Sequence, residues 1–306
     1  MTAPPASRSR VHPLLRVLLY LLATVVLGQV VVGLLLGGGI ALVTILLRPI
    51  VPGLSARWMS EMQAGQIPTG LLFLSVALDL AWVAAVTWIF LRGLNHQGWD
   101  SLGIRRRTLV SSSLLGLALG VSMFLAVGLL LWLTGWAVFH WDRPLAELAV
   151  MVVVVLPPAA AEEIAFRGYV LVTLRQWKGW PLAIGLSSVL FSLAHSLNPG
   201  LNGLALLNIV LAGLAFSLAM RWKGSLWLPL GFHFAWNYVQ GPVLGFPVSG
   251  LAAFGVGPAS QLVGPVLWTG GGFGPEGGLV VTVVVGVTCA ILWILNRVEA
   301  GRRSVP

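Results

Sequence analysis

Six ionisable side chains stand inside long apolar segments of this sequence, and they are the residues best suited to chemistry. The set consists of Asp79, Glu162, Glu163, Arg167, His195 and His233, with the amide Asn237 four positions after the last. A charged side chain within a membrane span is costly unless it is paired or hydrated, so each one is a functional hypothesis. Carboxylates and imidazoles are the usual general acids and bases of enzymes. The set therefore predicts proton-transfer or hydrolytic chemistry inside the membrane.

The first acidic motif follows Pro157 and Pro158, which cannot donate backbone hydrogen bonds and are expected to kink or restart a helix. Glu163 and Arg167 stand four residues apart with the acid first, the order that pairs best on a helix. Glu163 is therefore expected to neutralise Arg167. Glu162, about 100° around the helix, is left without a helical counter-ion and can serve as a general base. The alternative is a structural ion-pair cluster that uses both acids.

Two other segments each carry a histidine at helical spacing from a second side chain. Phe191 and His195 are four residues apart, so the ring can fix the imidazole, whereas a lone histidine would more often be a packed residue. His233 and Asn237 have the same spacing and project together. Depths counted from the predicted cytoplasmic helix ends, at about 1.5 Å per residue, are about 20, 21, 18 and 12 Å for Glu162, His195, Asn237 and His233. These similar depths predict one shared polar cavity.

The elements that must position these residues are membrane-spanning helices. Of 306 residues, 58% are hydrophobic and 9% are charged, with a mean hydropathy of +0.93, whereas a soluble domain is about 25% charged. The apolar residues form blocks of about 20, enough for a helix to cross the hydrocarbon layer. The eight blocks run approximately over 17–47, 69–91, 112–138, 147–175, 181–197, 202–220, 225–245 and 278–296. The predicted fold class is an all-α polytopic membrane protein with about eight transmembrane helices.

The distribution of Lys and Arg predicts the orientation. With a cytoplasmic N-terminus, fourteen of the eighteen basic residues lie on the cytoplasmic side and three lie outside, as the positive-inside rule requires. Both termini are thus predicted to be cytoplasmic, and the net charge of +9 needs no nucleic-acid partner. The first block is kept as a span because it is much longer than the apolar core of a signal peptide.

The three motifs together resemble those of a known family. Glu-Glu-x-x-x-Arg at 162–167, Phe-x-x-x-His at 191–195 and His-x-x-x-Asn at 233–237 occur here in one order. They are similar to the motifs of the CPBP intramembrane proteases, which include the type II CAAX prenyl endopeptidases and bacteriocin-processing or immunity proteins. The resemblance covers about 160–240 and implies an eight-helix core.

The resemblance also implies roles for individual residues. Glu162 and His195 would activate a water, while His233 and Asn237 would stabilise the tetrahedral oxyanion. The supporting residues would be Glu163, Arg167 and Phe191. The residue types agree with these roles, since amide hydrolysis needs an activated water and an oxyanion donor.

Other hydrolytic mechanisms lack their residues in this sequence. There is no His-Glu-x-x-His motif and no paired intramembrane Asp, and Cys289 is remote from the motifs. The stretch Gly185-Leu-Ser187-Ser188 is a poor match to a rhomboid nucleophile. Two histidines and a glutamate can also bind zinc, so the candidate ligands of a metal would be Glu162, His195 and His233. We expect no obligatory metal or other cofactor, with zinc as the compatible alternative.

The domain organisation follows from the blocks and the motifs. The predicted parts are a disordered basic tail at 1–16, a single transmembrane domain at 17–297 that contains a protease core at about 147–245, and a cytoplasmic tail at 298–306. The joint 48–68 is either an interfacial helix or a plain loop. Residues 246–277 are rich in Gly and Pro and lack Lys and Arg, which favours an external loop that can dip back toward the membrane.

The predicted function is a glutamate-dependent endopeptidase that cuts a membrane-associated peptide or protein near the cytoplasmic side. Its predicted partners are that substrate and the lipid bilayer, in a multi-pass protein of the plasma membrane. One alternative is a non-enzymatic immunity or scaffold protein on the same fold, against which the intact motifs argue. Another is an ion-coupled transporter, which the lack of an internal repeat disfavours. Asp79 lies outside the motifs, and a cavity contact and a packing hydrogen bond are equally compatible with it.

Overall fold

The computed structural model describes residues 11–47, 53–63, 68–254 and 259–304, and within them the chain is almost entirely helical. The helices are α1 (Pro13–Leu21), α2 (Gly28–Leu47), α3 (Leu54–Gln63), α4 (Thr69–Phe90), α5 (Leu109–Leu133), α6 (Leu145–Glu162), α7 (Leu171–Ala194), α8 (Gly203–Lys223), α9 (Trp227–Tyr238), α10 (Val266–Thr269) and α11 (Leu279–Ser304). Wider π-helical turns occupy Leu22–Leu27, Leu91–Asn95, Glu163–Val170 and Val239–Val243. The predicted all-α class is confirmed.

Short elements connect these helices. Single 3₁₀ turns lie at Trp99–Leu102, Arg106–Thr108, Ala252–Phe254, Gly271–Phe273 and Pro275–Gly277. Two short strands, β1 (Ala137–Val138) and β2 (Gln261–Leu262), pair antiparallel, with Ala137 opposite Leu262 and Val138 opposite Gln261. This pairing ties the segment after α5 to the long loop after α9.

Six helical stretches of the described chain are long and apolar enough to cross a membrane: Pro13–Gly38, Gly70–Asn95, Trp99–Leu133, Leu145–Ala194, Gly203–Lys223 and Leu279–Arg302. The protein is therefore an integral multi-pass membrane protein. The stretch Leu145–Ala194 is 50 residues long and breaks at Gly179, whose φ of 76° and ψ of −174° are not helical. It holds two predicted segments, 147–175 and 181–197. The predicted segment 225–245 corresponds to α9 with its π-helical extension and is not among the six. The count of eight and the cytoplasmic termini stay predictions.

The helix ends differ from the predicted domain boundaries at both termini. Helix α1 begins at Pro13, inside the predicted tail 1–16, because Pro13 suits the first turn and the side chain of His12 accepts a hydrogen bond from the Leu14 amide. Arg16 is buried and donates to Asn95 Oδ1 at 3.0 Å. At the other end, α11 continues through Ser304, beyond the predicted end of the transmembrane domain. Residues 1–10 and 305–306 lie outside the described chain.

The joint predicted at 48–68 contains a helix. Of the two alternatives for this joint, the structure has the helix, α3 (Leu54–Gln63). Its Arg57 and Glu61 form an i, i+4 ion pair at 2.8 Å. Residues 48–52 and 64–67 of the joint lie outside the described chain.

Small residues bring α9 close to α5 and thereby fix the position of the third motif, His233 and Asn237, relative to α5. Gly116 and Gly120 of α5 face the α9 backbone, and an added Cβ at either would overlap it, at Leu228 or Phe232. Gly231 of α9 lies in turn against α5, where a Cβ would come within 2.7 Å of the Ser113 carbonyl oxygen. Close backbone approach through small residues is a standard way to pack helices in lipid. This contact fixes the position of the α9 segment that carries His233 and Asn237.

The first two motifs are joined by serine hydrogen bonds and close packing. Ser187 Oγ of α7 donates to the Phe166 carbonyl oxygen at 2.9 Å, inside the π-helical turn Glu163–Val170. Ser192 Oγ donates to the Leu206 carbonyl oxygen of α8 at 2.8 Å. Gly213 of α8 faces Ser188, so a Cβ would lie 2.9 Å from the Ser188 Cα. Helix α7 is therefore held firmly against both neighbours.

The long loop after α9 folds back against the helices. Glu276 is buried at 8% exposure, and its Oε1 accepts a hydrogen bond from Trp236 Nε1 of α9 at 2.9 Å. Its Oε2 accepts bonds from the Ser249 amide and from Ser249 Oγ. The described part of the loop predicted to dip back toward the membrane does contact the helical core. Residues 255–258 lie outside the described chain.

Candidate active site

A cavity of about 250 Å³ brings together residues from all three motifs. Glu162 stands at the end of α6, His195 directly after α7, and His233 and Asn237 one turn apart on α9. All four line the cavity. The shared polar cavity predicted from their depths is therefore present.

Glu162 projects into this cavity between the two histidines. Its Oε2 atom lies 3.8 Å from His195 Nε2 and 3.8 Å from His233 Nε2. Both distances exceed a hydrogen bond, and this oxygen has no hydrogen-bond partner among the described residues. The side chain as a whole is 33% exposed and lines the cavity, whereas the Oε2 atom itself is buried. The carboxylate therefore has an unused acceptor in a position between two imidazoles.

His195 is oriented by its own helix. Its Nδ1 lies 2.8 Å from the Phe191 carbonyl oxygen, which can only accept, so Nδ1 carries the hydrogen. In the neutral ring, Nε2 then has a free lone pair that faces Glu162. The Phe191 ring meets the imidazole edge to face, with centroids 4.7 Å apart. The predicted contact of Phe191 with His195 is present.

Glu163 and Arg167 form a buried ion pair behind the cavity. Arg167 Nη1 lies 3.0 Å from Glu163 Oε1, and both side chains are fully buried. The Arg167 guanidinium carbon also lies 4.0 Å from the centroid of Phe191 and 4.9 Å from that of Phe216. Aromatic faces stabilise a desolvated cation. The predicted pairing of Glu163 with Arg167 is thus present, and Phe191 contacts both Arg167 and His195.

Glu163 has a second contact that the sequence does not reveal. Its Oε1 also lies 3.0 Å from His233 Nδ1. The pairing with Arg167 favours the ionised carboxylate, which accepts only, so His233 Nδ1 donates. This bond turns the His233 Nε2 toward Glu162. Phe216 stacks on the imidazole, with centroids 4.8 Å apart and a ring angle of 20°.

Phe216 and Asp79 are the other residues that sequence reasoning missed or left open. Phe216 is an aromatic residue in an apolar segment, so its sequence context offers no signal. Asp79 lines the cavity with Glu162, and no hydrogen bond joins its side chain to another described residue. The structure therefore favours the cavity contact over the packing hydrogen bond. Among the described residues, the cavity lining contains no Lys or Arg.

The loop after α9 helps to form the cavity. Val248, Ser249 and Leu251 of this loop line it together with His195, which follows the last residue of α7. The membrane side on which this cavity lies depends on the predicted orientation, so cleavage near the cytoplasmic side stays a prediction.

The predicted metal ligands do not form a metal site in the described part of the chain. No group of three or more His, Cys, Asp or Glu side chains there has an arrangement that could hold a metal ion. The expectation of no obligatory metal stays a prediction.

Comparison with known proteins relates this part of the chain to a protein family. Residues 143–239 match the family model described as type II CAAX prenyl endopeptidase Rce1-like. The chain contains an Rce1-like domain. This domain includes all three motifs and confirms the resemblance to CPBP and CAAX proteases drawn from them. The match supports, in general terms, a CAAX-type intramembrane protease. No curated protein and no solved structure matches the chain.

Proposed function

We propose that this protein is an intramembrane endopeptidase in which Glu162 and His195 activate a water for attack on a peptide carbonyl. The observation that carries the proposal is the Glu162 Oε2 atom, which has no hydrogen-bond partner among the described residues and lies 3.8 Å from two imidazole nitrogens. The Rce1-like domain supports protease chemistry at this place in the chain. The substrate is a peptide segment in or at the membrane, and the plasma membrane is the proposed location.

In the proposed first step, a water donates hydrogen bonds to Glu162 and to His195 Nε2. Its oxygen attacks the substrate carbonyl carbon, and its proton moves to the Glu162 carboxylate. His195 can accept because its Nδ1 hydrogen is already donated to the Phe191 carbonyl. Collapse of the tetrahedral intermediate breaks the carbon–nitrogen bond, and the proton held by Glu162 moves to the leaving amine. General acid–base catalysis of this kind contributes about 10²–10⁴ in rate.

Asn237 and His233 are proposed to donate hydrogen bonds to the oxyanion. The two side chains differ in the protonation state in which they can do so. The Asn237 amide has N–H donors in every state. His233 has its Nδ1 hydrogen directed at Glu163, so its Nε2 can donate to the oxyanion only when the ring is the imidazolium ion. The ionised Glu163 carboxylate supports that cation at 3.0 Å. Glu163 is thus a positioning residue for His233 as well as the counter-ion of Arg167.

We also propose that no metal is required. The proposal is supported by the described residues, among which no group of three or more His, Cys, Asp or Glu side chains is arranged to hold an ion, and by the mechanism, in which each role has a protein group. Purified protein is expected to retain its activity after dialysis against a strong chelator, and added zinc is expected not to increase it. Activity lost on chelation and restored by zinc would contradict this part of the proposal.

The experiment that tests the function compares membrane peptides by mass spectrometry. Cells with the wild-type protein are compared with cells that carry Glu162→Ala, and a third culture carries Glu61→Ala. Glu61 is a matched acid in a surface ion pair with Arg57 at 2.8 Å. Cleavage products are expected with the wild type and Glu61→Ala and not with Glu162→Ala. Identical peptide profiles in all three cultures would argue for a non-enzymatic membrane protein.

A further inference from the structure

A second cavity lies away from the candidate active site, where α8 and α11 end and α7 breaks at Gly179. It has a volume of about 410 Å³, and its lining consists of Arg175, Trp180, Arg221, Trp222, Asn296, Glu299 and Ala300. These residues come from α7, from the end of α8 and from the last part of α11. In the predicted orientation this is the cytoplasmic edge of the membrane.

The two arginines of this pocket share one aromatic ring. The guanidinium carbon of Arg175 lies 4.4 Å from the ring centroid of Trp180, and that of Arg221 lies 5.8 Å from the same centroid. The two like charges repel each other. Neither has an ion-pair partner among the described residues, and Glu299 is the one acid of the lining against two cations. The pocket therefore has an unmatched positive charge that suits an anion.

The position of the pocket indicates which anion would reach it. The helices that form it also expose large apolar side chains: Leu182 is 42% exposed on α7, and Trp293, one turn before Asn296 on α11, is 53% exposed. Trp residues are typical of the membrane–water interface. An amphiphile with an anionic head group and acyl chains would match both the positively charged pocket and the exposed apolar side chains.

We propose that this pocket binds the head group of an anionic phospholipid. The phosphate would lie between Arg175 and Arg221, which can each donate two parallel hydrogen bonds to its oxygens. Trp180 would hold the two guanidinium groups in place, and the acyl chains would lie along the exposed Trp293. Paired arginines over an aromatic ring suit phosphate recognition better than lysines do.

Arg92 provides the matched control for this proposal. Its guanidinium carbon lies 4.3 Å from the ring centroid of Trp88, and it is also predicted at the cytoplasmic side. Arg92 is thus a single arginine over a single tryptophan. It lies outside the pocket and, among the described residues, does not share its ring with a second arginine, as Arg175 does. If basic residues here served only to orient the protein, Arg92 and the pocket arginines would behave alike in lipid binding.

The test is a lipid titration of the purified full chain in a neutral detergent, followed by native mass spectrometry. Phosphatidylglycerol and phosphatidylcholine are titrated against wild type, Arg175→Gln/Arg221→Gln and Arg92→Gln. An arginine that meets an anionic head group contributes about fivefold to lipid binding. We expect the double variant to lose roughly 25-fold in phosphatidylglycerol affinity and Arg92→Gln to lose none. If the double variant does not fold, each single variant is expected to lose about fivefold.

Three outcomes would overturn the proposal. The first is equal loss of phosphatidylglycerol binding in Arg92→Gln and in the pocket variants. The second is equal affinity of the wild type for phosphatidylcholine, which carries no net charge. The third is full competition by inorganic phosphate at the same concentration as the lipid, which would indicate a soluble phosphate site instead of a lipid site.

Discussion

Two glutamates in contact with α9 show how differently this fold treats a carboxylate. Glu276 accepts hydrogen bonds from Trp236 Nε1 and from both the amide and the hydroxyl of Ser249. Glu162 lies 3.8 Å from two imidazole nitrogens, and its Oε2 has no hydrogen-bond partner in the described chain. Both carboxylates are in an apolar protein, yet one is satisfied and the other is not.

The difference supports the roles proposed for the two glutamates. A buried acceptor without a partner is costly, and Glu162 keeps one between two imidazoles while its side chain lines the cavity. Glu163 Oε2 also lacks a partner among the described residues, but Glu163 does not line the cavity. Glu276 anchors the loop to α9 through three hydrogen bonds. The comparison therefore supports an architectural role for Glu276 and the chemical role proposed for Glu162.

The largest effect on activity apart from Glu162 itself is expected at His195. In His195→Gln the side chain stays polar and uncharged, but the lone pair that faces Glu162 is lost. We expect the cleavage rate to fall by about 10²–10⁴, with little change in the thermal unfolding midpoint. The measurement is kcat in proteoliposomes. A variant with near wild-type kcat would remove His195 from the proposed water-activating pair.

Glu163→Gln is expected to reduce both stability and activity. It leaves the fully buried Arg167 without its counter-ion, and breaking a buried pair in this way costs about 3–5 kcal/mol. The double variant Glu163→Gln/Arg167→Met removes both charges, so the free energy of unfolding should largely recover. Activity should not recover, because His233 Nδ1 still lacks its carboxylate. Recovery of both would show that Glu163 serves only to neutralise Arg167.

Glu276→Gln tests the other half of the comparison. Hydrogen bonds to a charged acceptor contribute about 1.5–3 kcal/mol each, so we expect a loss of about 2–3 kcal/mol in the free energy of unfolding. Below the unfolding transition, most of the cleavage activity should remain. The comparison would fail if this variant kept its stability and lost its activity, since Glu276 would then have the role assigned to Glu162.

The smallest effect is expected at Asp79. This side chain lines the cavity but makes no hydrogen bond with another described residue, so Asp79→Asn breaks no contact. We expect kcat to change by less than about tenfold, which corresponds to less than about 1.4 kcal/mol of barrier. The measurement is kcat of the wild type and Asp79→Asn, with peptides that do and do not carry a basic residue near the cleaved bond. A loss as large as that of His195→Gln would make Asp79 a third member of the water-activating group.

The sequence was sufficient to identify the four cavity residues because each is a polar residue within an apolar segment. A polar side chain in an apolar segment is visible without any structure, and helical spacing relates it to its neighbours on the same helix. The Glu163–Arg167 pair and the Phe191–His195 contact are of this local kind, and both are present. The Rce1-like match covers the same part of the chain.

The remaining contacts could not be predicted because they join distant parts of the chain. The bond from His233 Nδ1 to Glu163 links residues 70 positions apart, and Phe216 is one apolar residue among many. Glu276 lies in a Gly/Pro-rich loop whose path has no periodicity. The start of α1 at Pro13 was missed because Arg16 suggests a solvated tail, whereas it is buried against Asn95.

The central claim is that Glu162 performs chemistry and does not stabilise the fold. The most direct test measures kcat and the thermal unfolding midpoint of wild type and Glu162→Gln together, in proteoliposomes with one peptide substrate. We predict that kcat falls by at least about 10² while the midpoint stays at the wild-type value. A folded Glu162→Gln variant that cleaves the peptide at the wild-type rate would contradict the account.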